Sequence, residues 1–529
     1  MSPRRRRERD DAVPLPLPPG PVGNGEFVPA APTALVETTL RLIHDEVDTA
    51  AALAGMDRRR FLLSAGGVAA SLAAFNLASC STGHTRSSAG AGAPTAPRTS
   101  PSAPPSAPPP TTSGGTFTVP PPADVAACEH ALGGTGEFIF DVHTHHVMPQ
   151  GPWRQNAPAT VGLVEHMLGP GCTQADPLVC ADRAAYLHDM FLSSDTTVAM
   201  LTDVPSSGRS DAPVPFADAL NTQHAAAGLS GPGAARVLVQ NVIAPNVGDL
   251  HARLDDMDAA AASGRVAAFK VYTAWSPTGH GWSLEDPAIG LPVVQHAHDL
   301  GVKVLVAHKG LPLVHFDAAH NLTDDIVAVS RMFPDMQFVV FHGGWDPSRR
   351  EGPRNRLHPT GIDSFLAALD RHGVPPNDNV WVDLGTVWRQ VLTDPDQAAH
   401  VLGKLLARVG TQRVLWGTDA IWYGSPQPQI MALRAFQLST AYQEHFGYPA
   451  LTDTIKRQIF GLNAASLFGV DPTVARCAIT SDPLTSNKPE VRQLQSEAAL
   501  SSPWSPNGPT TRRQTLAWLA SPTTRWRPE

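Results

Sequence analysis

From residue 138 onward the chain repeats one pattern, a short apolar run followed by a longer stretch with apolar residues at helical spacing. The runs fall at Phe138–Val142, Thr197–Thr202, Val237–Ile243, Val266–Tyr272, Val302–Ala307, Gln337–Phe341, Val380–Asp383 and Val414–Trp416. Between them, sets such as Leu250, Leu254 and Met257, or Ile362, Phe365, Leu366 and Leu369, mark amphipathic helices. Short apolar strands separated by such helices pair in parallel, because a parallel crossover needs about a helix's length of chain. Eight units of this kind predict an α/β fold, a closed (β/α)8 TIM-type barrel. A doubly wound open sheet is the alternative, but no Gly-rich phosphate turn follows the first run.

In such a barrel the reactive groups sit at the C-terminal ends of the strands. The first run ends in Asp141-Val142-His143-Thr144-His145-His146, where residues two apart share a face, so His143 and His145 point the same way. The fourth ends in Phe269-Lys270-Val271, the fifth in His308-Lys309-Gly310, the sixth in His342-Gly343-Gly344 and the eighth in Gly417-Thr418-Asp419. Histidines and an aspartate at corresponding heights point to metal chemistry.

In this order, the residues resemble the metal-dependent amidohydrolase superfamily, within it the amidohydrolase-related branch that includes aminocarboxymuconate-semialdehyde decarboxylase. The resemblance runs over residues 137 to 470 and includes the closing Gly461-Leu462-Asn463-Ala464-Ala465. It implies that His143, His145, His308 and Asp419 hold one divalent metal ion, with His342 against the metal's water or the substrate. Nitrogen ligands with one carboxylate suit zinc, and manganese also fits; an open position acidifies a bound water. Asp419 is expected to exchange its proton and His342 to stabilise charge on the bound oxygen. Lys270 stands where two-metal relatives carry a bridging carboxylated lysine, whereas in single-metal relatives a lysine there pairs with a substrate carboxylate or lines the pocket. One metal is the reading taken.

The expected reaction is hydrolysis of a small amide, lactone or ester. Metal-dependent non-oxidative decarboxylation of a small carboxylic acid is the alternative, and the strand-end residues do not separate the two. A catalytically inactive barrel that only binds ligand is a third reading. Asp141 is expected one layer below His143 as a hydrogen-bond partner, and Asp383 either in the pocket or as a helix cap. His146, His296 and His298 are expected to pack or face solvent. The loop from Trp275 to Trp282 reads as a lid or an anchored turn, and Arg349, Arg350, Arg354 and Arg356 as substrate-carboxylate binders or loop charges.

Outside residues 123–470 the composition changes. Residues 1–55 are Pro-rich, with a helix expected from Thr33 to Ala54. Residues 56–80 contain Asp57-Arg58-Arg59-Arg60-Phe61-Leu62-Leu63 and a Gly/Ala/Ser-rich apolar stretch ending at Cys80. This resembles a twin-arginine export signal with a lipoprotein processing box, implying an envelope protein held at a membrane surface through lipidated Cys80. The alternative for residues 61–79 is a buried helix or an ordinary membrane span. Residues 81–122 read as an extended Ser/Thr/Pro-rich spacer, and residues 471–529 as a surface extension that carries no site. A net charge of -8 gives no footprint for nucleic acid, so the expected partner is a small molecule. Of five cysteines, Cys172 and Cys180 are expected to bridge once exported, with free thiols as the alternative.

Overall fold

All eight apolar runs become strands: β1 (Phe140–Thr144), β2 (Val198–Leu201), β3 (Val237–Ile243), β4 (Val266–Val271), β5 (Val304–His308), β6 (Gln337–Phe341), β7 (Val380–Asp383) and β8 (Val414–Leu415). They pair in parallel in sequence order. The backbone closes the ring between last and first: Val142 N–H donates to Trp416 O at 3.0 Å, and Asp419 N–H donates to His143 O at 2.9 Å. A parallel bridge joins Thr144 to Ala420. The structure is a computed structural model that describes residues 15–82, 113–497 and Leu516, apart from 21, 23–26, 135, 169–171, 173, 231–234, 314–315 and 481.

Alternation along the strands divides the packing into two layers. Phe140, Val142, Met200, Ala268, Val306, Val339, Phe341 and Leu415 form one buried cluster. A second, larger cluster joins the intervening strand residues to the helices, with Ile362, Phe365, Leu366 and Leu369 of the helix Ile362–Arg371 buried together.

The N-terminal region is part of this fold. Helix α1 (Ala34–Leu53) starts at Thr33, whose hydroxyl accepts from Val36 N–H at 3.3 Å, the N-cap contact that a threonine supplies. Helices α2 (Arg58–Leu62) and α3 (Ala65–Thr82) follow, with Phe61, Leu62, Val68, Leu72 and Phe75 fully buried. Gly67 lets the two helices close up: a Cβ there would lie 2.7 Å from the Leu62 Cα. Residues 61–79 are thus largely helical and mostly buried, with Leu77 exposed. Among the described residues no helix is long and apolar enough to cross a membrane. Asn76 of α3 also brackets Phe117, accepting from its N–H and donating to its carbonyl, each at 2.8 Å. That bracket fixes the strand Gly115–Phe117, which pairs antiparallel with Phe436–Leu438. The C-terminal end of the expected spacer is thus ordered structure; the rest of it, residues 83–112, lies outside the described residues.

Upstream of α1, residues pack onto the C-terminal face of the barrel. Val22 N–H donates to Gln390 Oε1 at 3.1 Å, in the loop after β7. Phe27 meets Trp345, in the loop after β6, edge to face with centroids 6.3 Å apart. Cys172 and Cys180 form a disulfide with Cα atoms 5.9 Å apart in the loop after β1.

Among the described residues beyond 470, the expected surface extension forms the helices Pro472–Ile479 and Pro483–Glu497. Asp471 caps the first by accepting from Thr473 and Val474 N–H. Between them Asp482 pairs with Arg236 at 2.5 Å, both side chains at 0 % exposure. Arg236 immediately precedes β3, so its charge requires this segment. Asp482→Ala is expected to cost about 3–5 kcal/mol, because it strands a buried guanidinium; the shift of the urea unfolding midpoint at unchanged slope measures it.

Candidate metal centre

The C-terminal ends of β1, β6 and β8 bring His143, His342 and Asp419 together, one ligand atom from each lying within 4.8 Å of the others. Asp419 Oδ1 is 3.2 Å from His145 Nε2 and 3.5 Å from His143 Nε2. Those separations match the roughly 3–3.5 Å between ligands that are each about 2.0–2.2 Å from a shared tetrahedral ion. His308 stands beside this group, its ring centroid 4.5 Å from that of His342. All five side chains are buried.

One carboxylate positions two of the histidines. Asp383, at the end of β7, meets His143 Nδ1 at 2.9 Å through Oδ2 and accepts from His342 N–H at 2.7 Å through Oδ1. The second bond holds His342 at φ 63°, a left-handed conformation that a side-chain-bearing residue adopts only when its surroundings require it. Asp419, at φ 60°, is fixed in the same way by its N–H bond to His143 O. Two glycines leave room for the Asp383–His143 contact. A Cβ at Gly385 would fall 2.5 Å from Asp383 Oδ2, and one at Gly417 would fall 2.6 Å from it. Beneath them Asp141 accepts from Thr418 N–H, Thr418 Oγ1 and His143 N–H, the deeper supporting role expected of it.

Hydrogen bonds to carbonyls assign ring protons, since a carbonyl only accepts. His342 Nδ1 donates to Gly385 O at 2.9 Å, leaving Nε2 with its lone pair. His308 Nε2 donates to Leu311 O at 3.3 Å, leaving Nδ1. With a proton on Nδ1 toward Asp383, His143 presents Nε2. Burial lowers the pKa of all four histidines, His342 to about 4, so they are neutral at pH 7. Burial alone would raise Asp419, but His143, His145 and His342 beside it outweigh that, and its carboxyl lies well below the usual carboxylate range. Its second oxygen accepts from Thr386 Oγ1 at 2.7 Å. Neutral imidazole lone pairs around an ionised carboxylate are the donor set of a divalent-cation site, so these residues fit a metal.

Lys270 lies in the same chamber, buried, with Nζ 4.6 Å from the Phe341 ring centroid and 4.7 Å from that of Tyr272. His146 points away and bonds Thr222 Oγ1, while His296 and His298 pair with Asp258 and Asp335 at the surface. The Trp275–Trp282 loop is an anchored turn. Trp282 N–H donates to Thr273 O, Gly281 N–H donates to Asp317, and the Trp282 side chain is buried. Arg349, Arg350, Arg354 and Arg356 are all engaged by loop and helix aspartates. Sequence reading missed Thr386, which no motif marks, and left the role of Asp383 open.

The family model described as Amidohydrolase (Amidohydro_2) matches residues 140–470, more than half of the chain, which therefore belongs to the amidohydrolase family. No curated protein matches the chain. Among solved structures it is similar to 5-carboxyvanillate decarboxylase from Sphingomonas paucimobilis, at 13% identity and TM-score 0.41, covering 63% of this chain and 99% of that one. It is also similar to 2,6-dihydroxybenzoate decarboxylase from Rhizobium, at 14% identity and TM-score 0.38, covering 63% and 99%. An amidohydrolase from Mycoplasma synoviae matches at 11% identity and TM-score 0.36, covering 67% and 94%.

Because Asp383 orients two histidines at once, Asp383→Ala is expected to weaken metal binding by about 10–100-fold, the usual cost of losing a ligand's supporting carboxylate. Competition against a chromogenic chelator reads the affinity directly.

Proposed function

We propose that the chain is a metal-dependent hydrolase that uses one divalent ion, zinc or manganese, to open a small amide, lactone or ester. The observation that carries this reading is the ionised Asp419 carboxylate within 3.2–3.5 Å of two imidazole nitrogens at the barrel mouth. His143, His145, His308 and Asp419 would hold the ion, which supplies Lewis acidity and makes a water acidic near neutral pH. His342 has the geometry of a proton acceptor. Its Nδ1–H is committed to Gly385 O, so the neutral ring has no second N–H with which to stabilise an oxyanion. This amends the role expected from the sequence: His342 Nε2 takes the proton as the water oxygen adds to the substrate carbonyl carbon. The imidazolium then donates that proton to the developing anion or the leaving group. Thr386 keeps Asp419 turned toward the histidines.

A second reading, non-oxidative decarboxylation, is favoured by Lys270. A lysine buried at the floor of the chamber beside two aromatic rings suits an anionic substrate better than a neutral ester. Carbon dioxide release without consumption of water distinguishes it.

We also propose, on the Arg58-Arg59 pair and the segment ending at Cys80, export by the twin-arginine route and lipid anchoring. Export requires only the arginines, whereas processing at Cys80 would detach α1, α2 and α3 as far as Ser79, a segment in which Ile43, Val47, Phe61 and Val68 are fully buried. Replacing Arg58 and Arg59 with lysine is expected to retain the chain inside the cell on fractionation. Cys80→Ala is expected to release it from the membrane fraction.

The division of labour in the centre is tested by metal content and turnover together. His308→Ala is expected to lose both. His342→Ala is expected to keep its metal while turnover falls about a hundredfold or more, in the range for losing one preorganised catalytic group. The reverse pattern would exchange the two roles.

A further inference from the structure

Arg389 is the charged side chain that neither the fold nor the metal centre accounts for. It is 5% exposed, yet among the described residues no carboxylate comes within ion-pair reach, and its Nη1 is buried without a hydrogen-bond partner. Every other buried arginine or lysine discussed above has an acid, a carbonyl or aromatic faces around it. Burying an uncompensated ion costs several kcal/mol in order-of-magnitude terms, so a fold that keeps one has a use for it.

Its position suggests the use. Arg389 sits in the short helix Val387–Val391 after β7, three residues beyond Thr386, which bonds Asp419. Its titratable neighbour is Tyr423, four residues beyond Asp419 in the loop after β8. In that loop Trp422 stacks on His145 with centroids 5.7 Å apart. The two loops that carry Arg389 and Tyr423 therefore also carry contacts to the metal centre. Gln390, the next residue, is covered by Val22, which shields this side of the barrel mouth from water. Burial lowers the guanidinium to about 10, so it remains charged at neutral pH.

Resting on the reading of the barrel mouth as a small-molecule active site, we infer that Arg389 binds a carboxylate of the substrate, remote from the bond that reacts, and so selects organic acids. A monoanion neutralises one isolated guanidinium in a forked pair, whereas a phosphate dianion would leave net charge buried.

The test uses the metal-loaded full chain with benzoate, and with benzamide as the uncharged isostere, titrated calorimetrically. Benzoate is expected to bind at least tenfold tighter than benzamide. Arg389→Met is expected to abolish that difference while leaving benzamide affinity and metal content unchanged, and Arg389→Lys to restore part of it. Without ligand, Arg389→Met is expected to melt at or above the parent's temperature, since it removes an unpaired buried charge. No preference for benzoate in the parent, or a preference that survives Arg389→Met, overturns the inference. So does equal loss of both ligands with a lowered melting temperature, which marks a packing role. Benzoate binding that vanishes on chelation yet ignores Arg389→Met assigns the carboxylate to the metal instead, and also overturns it. A protein that holds no metal but keeps Arg389-dependent benzoate binding defeats the metal-centre reading and leaves this one standing.

Discussion

The hydrogen bonds of Asp383 are the constraint on which the centre depends. Through one carboxylate the end of β7 fixes the ring of His143 from β1 and the backbone of His342 from β6. These bonds add to what else holds each histidine, the stacking of His143 on Phe341 and the bond of His342 Nδ1 to Gly385 O. Burial raises the Asp383 carboxyl to about 8, opposed mainly by the His342 N–H bond. His143 offers a lone pair at Nε2 when its own ring proton is on Nδ1 and donated to an ionised Asp383. The glycines at 385 and 417 belong to the same device, because any side chain there would occupy the space of the carboxylate.

The chain's ends add to the barrel at three places. Val22 and Phe27 reach the loops after β7 and β6, α1–α3 pack into the helix layer, and Asp482 between the C-terminal helices neutralises Arg236 at the opposite end of the barrel. Each attachment uses a specific polar contact to set register and apolar burial to supply the energy. Val22 is seated by Gln390, Phe117 by Asn76, and residue 482 by Arg236. These contacts span from 41 to 368 residues of sequence. They explain how flanks of such composition can be fastened to the barrel: a Pro-rich or Ala-rich segment carries little periodicity of its own, yet a specific hydrogen bond sets its place.

The barrel was legible because its information is local. Apolar runs of strand length recur between amphipathic helices, and the observed strands differ from the expected ones by one or two residues at their ends. The histidines and Asp419 were legible because the barrel assigns function to a fixed place on each strand. Thr386 and Arg389 were not, since each lies in a loop whose path depends on packing that no short motif encodes. The four arginines after β6 show the opposite error. They were conspicuous by clustering, but each is taken by an aspartate, whereas Arg389, buried with no carboxylate in ion-pair reach among the described residues, belongs to no cluster in the sequence.

That contrast follows from how charge behaves in a dry chamber. Asp419 is held ionised by the surrounding imidazoles, those imidazoles are held neutral by burial, and two further cations, Lys270 and Arg389, are buried in the chain. At an effective dielectric well below that of water, such charges act over several ångströms on anything that enters. A neutral substrate would gain little from Arg389 and would leave its charge uncompensated. An organic acid would pair with it, give up the same water, and be drawn in with its reactive group toward the histidines. On the carboxylate-binding reading of Arg389, the desolvation that makes its buried charge costly is also what would give the site a preference, because the stabilisation withheld from the folded chain is released only to a ligand of the matching sign.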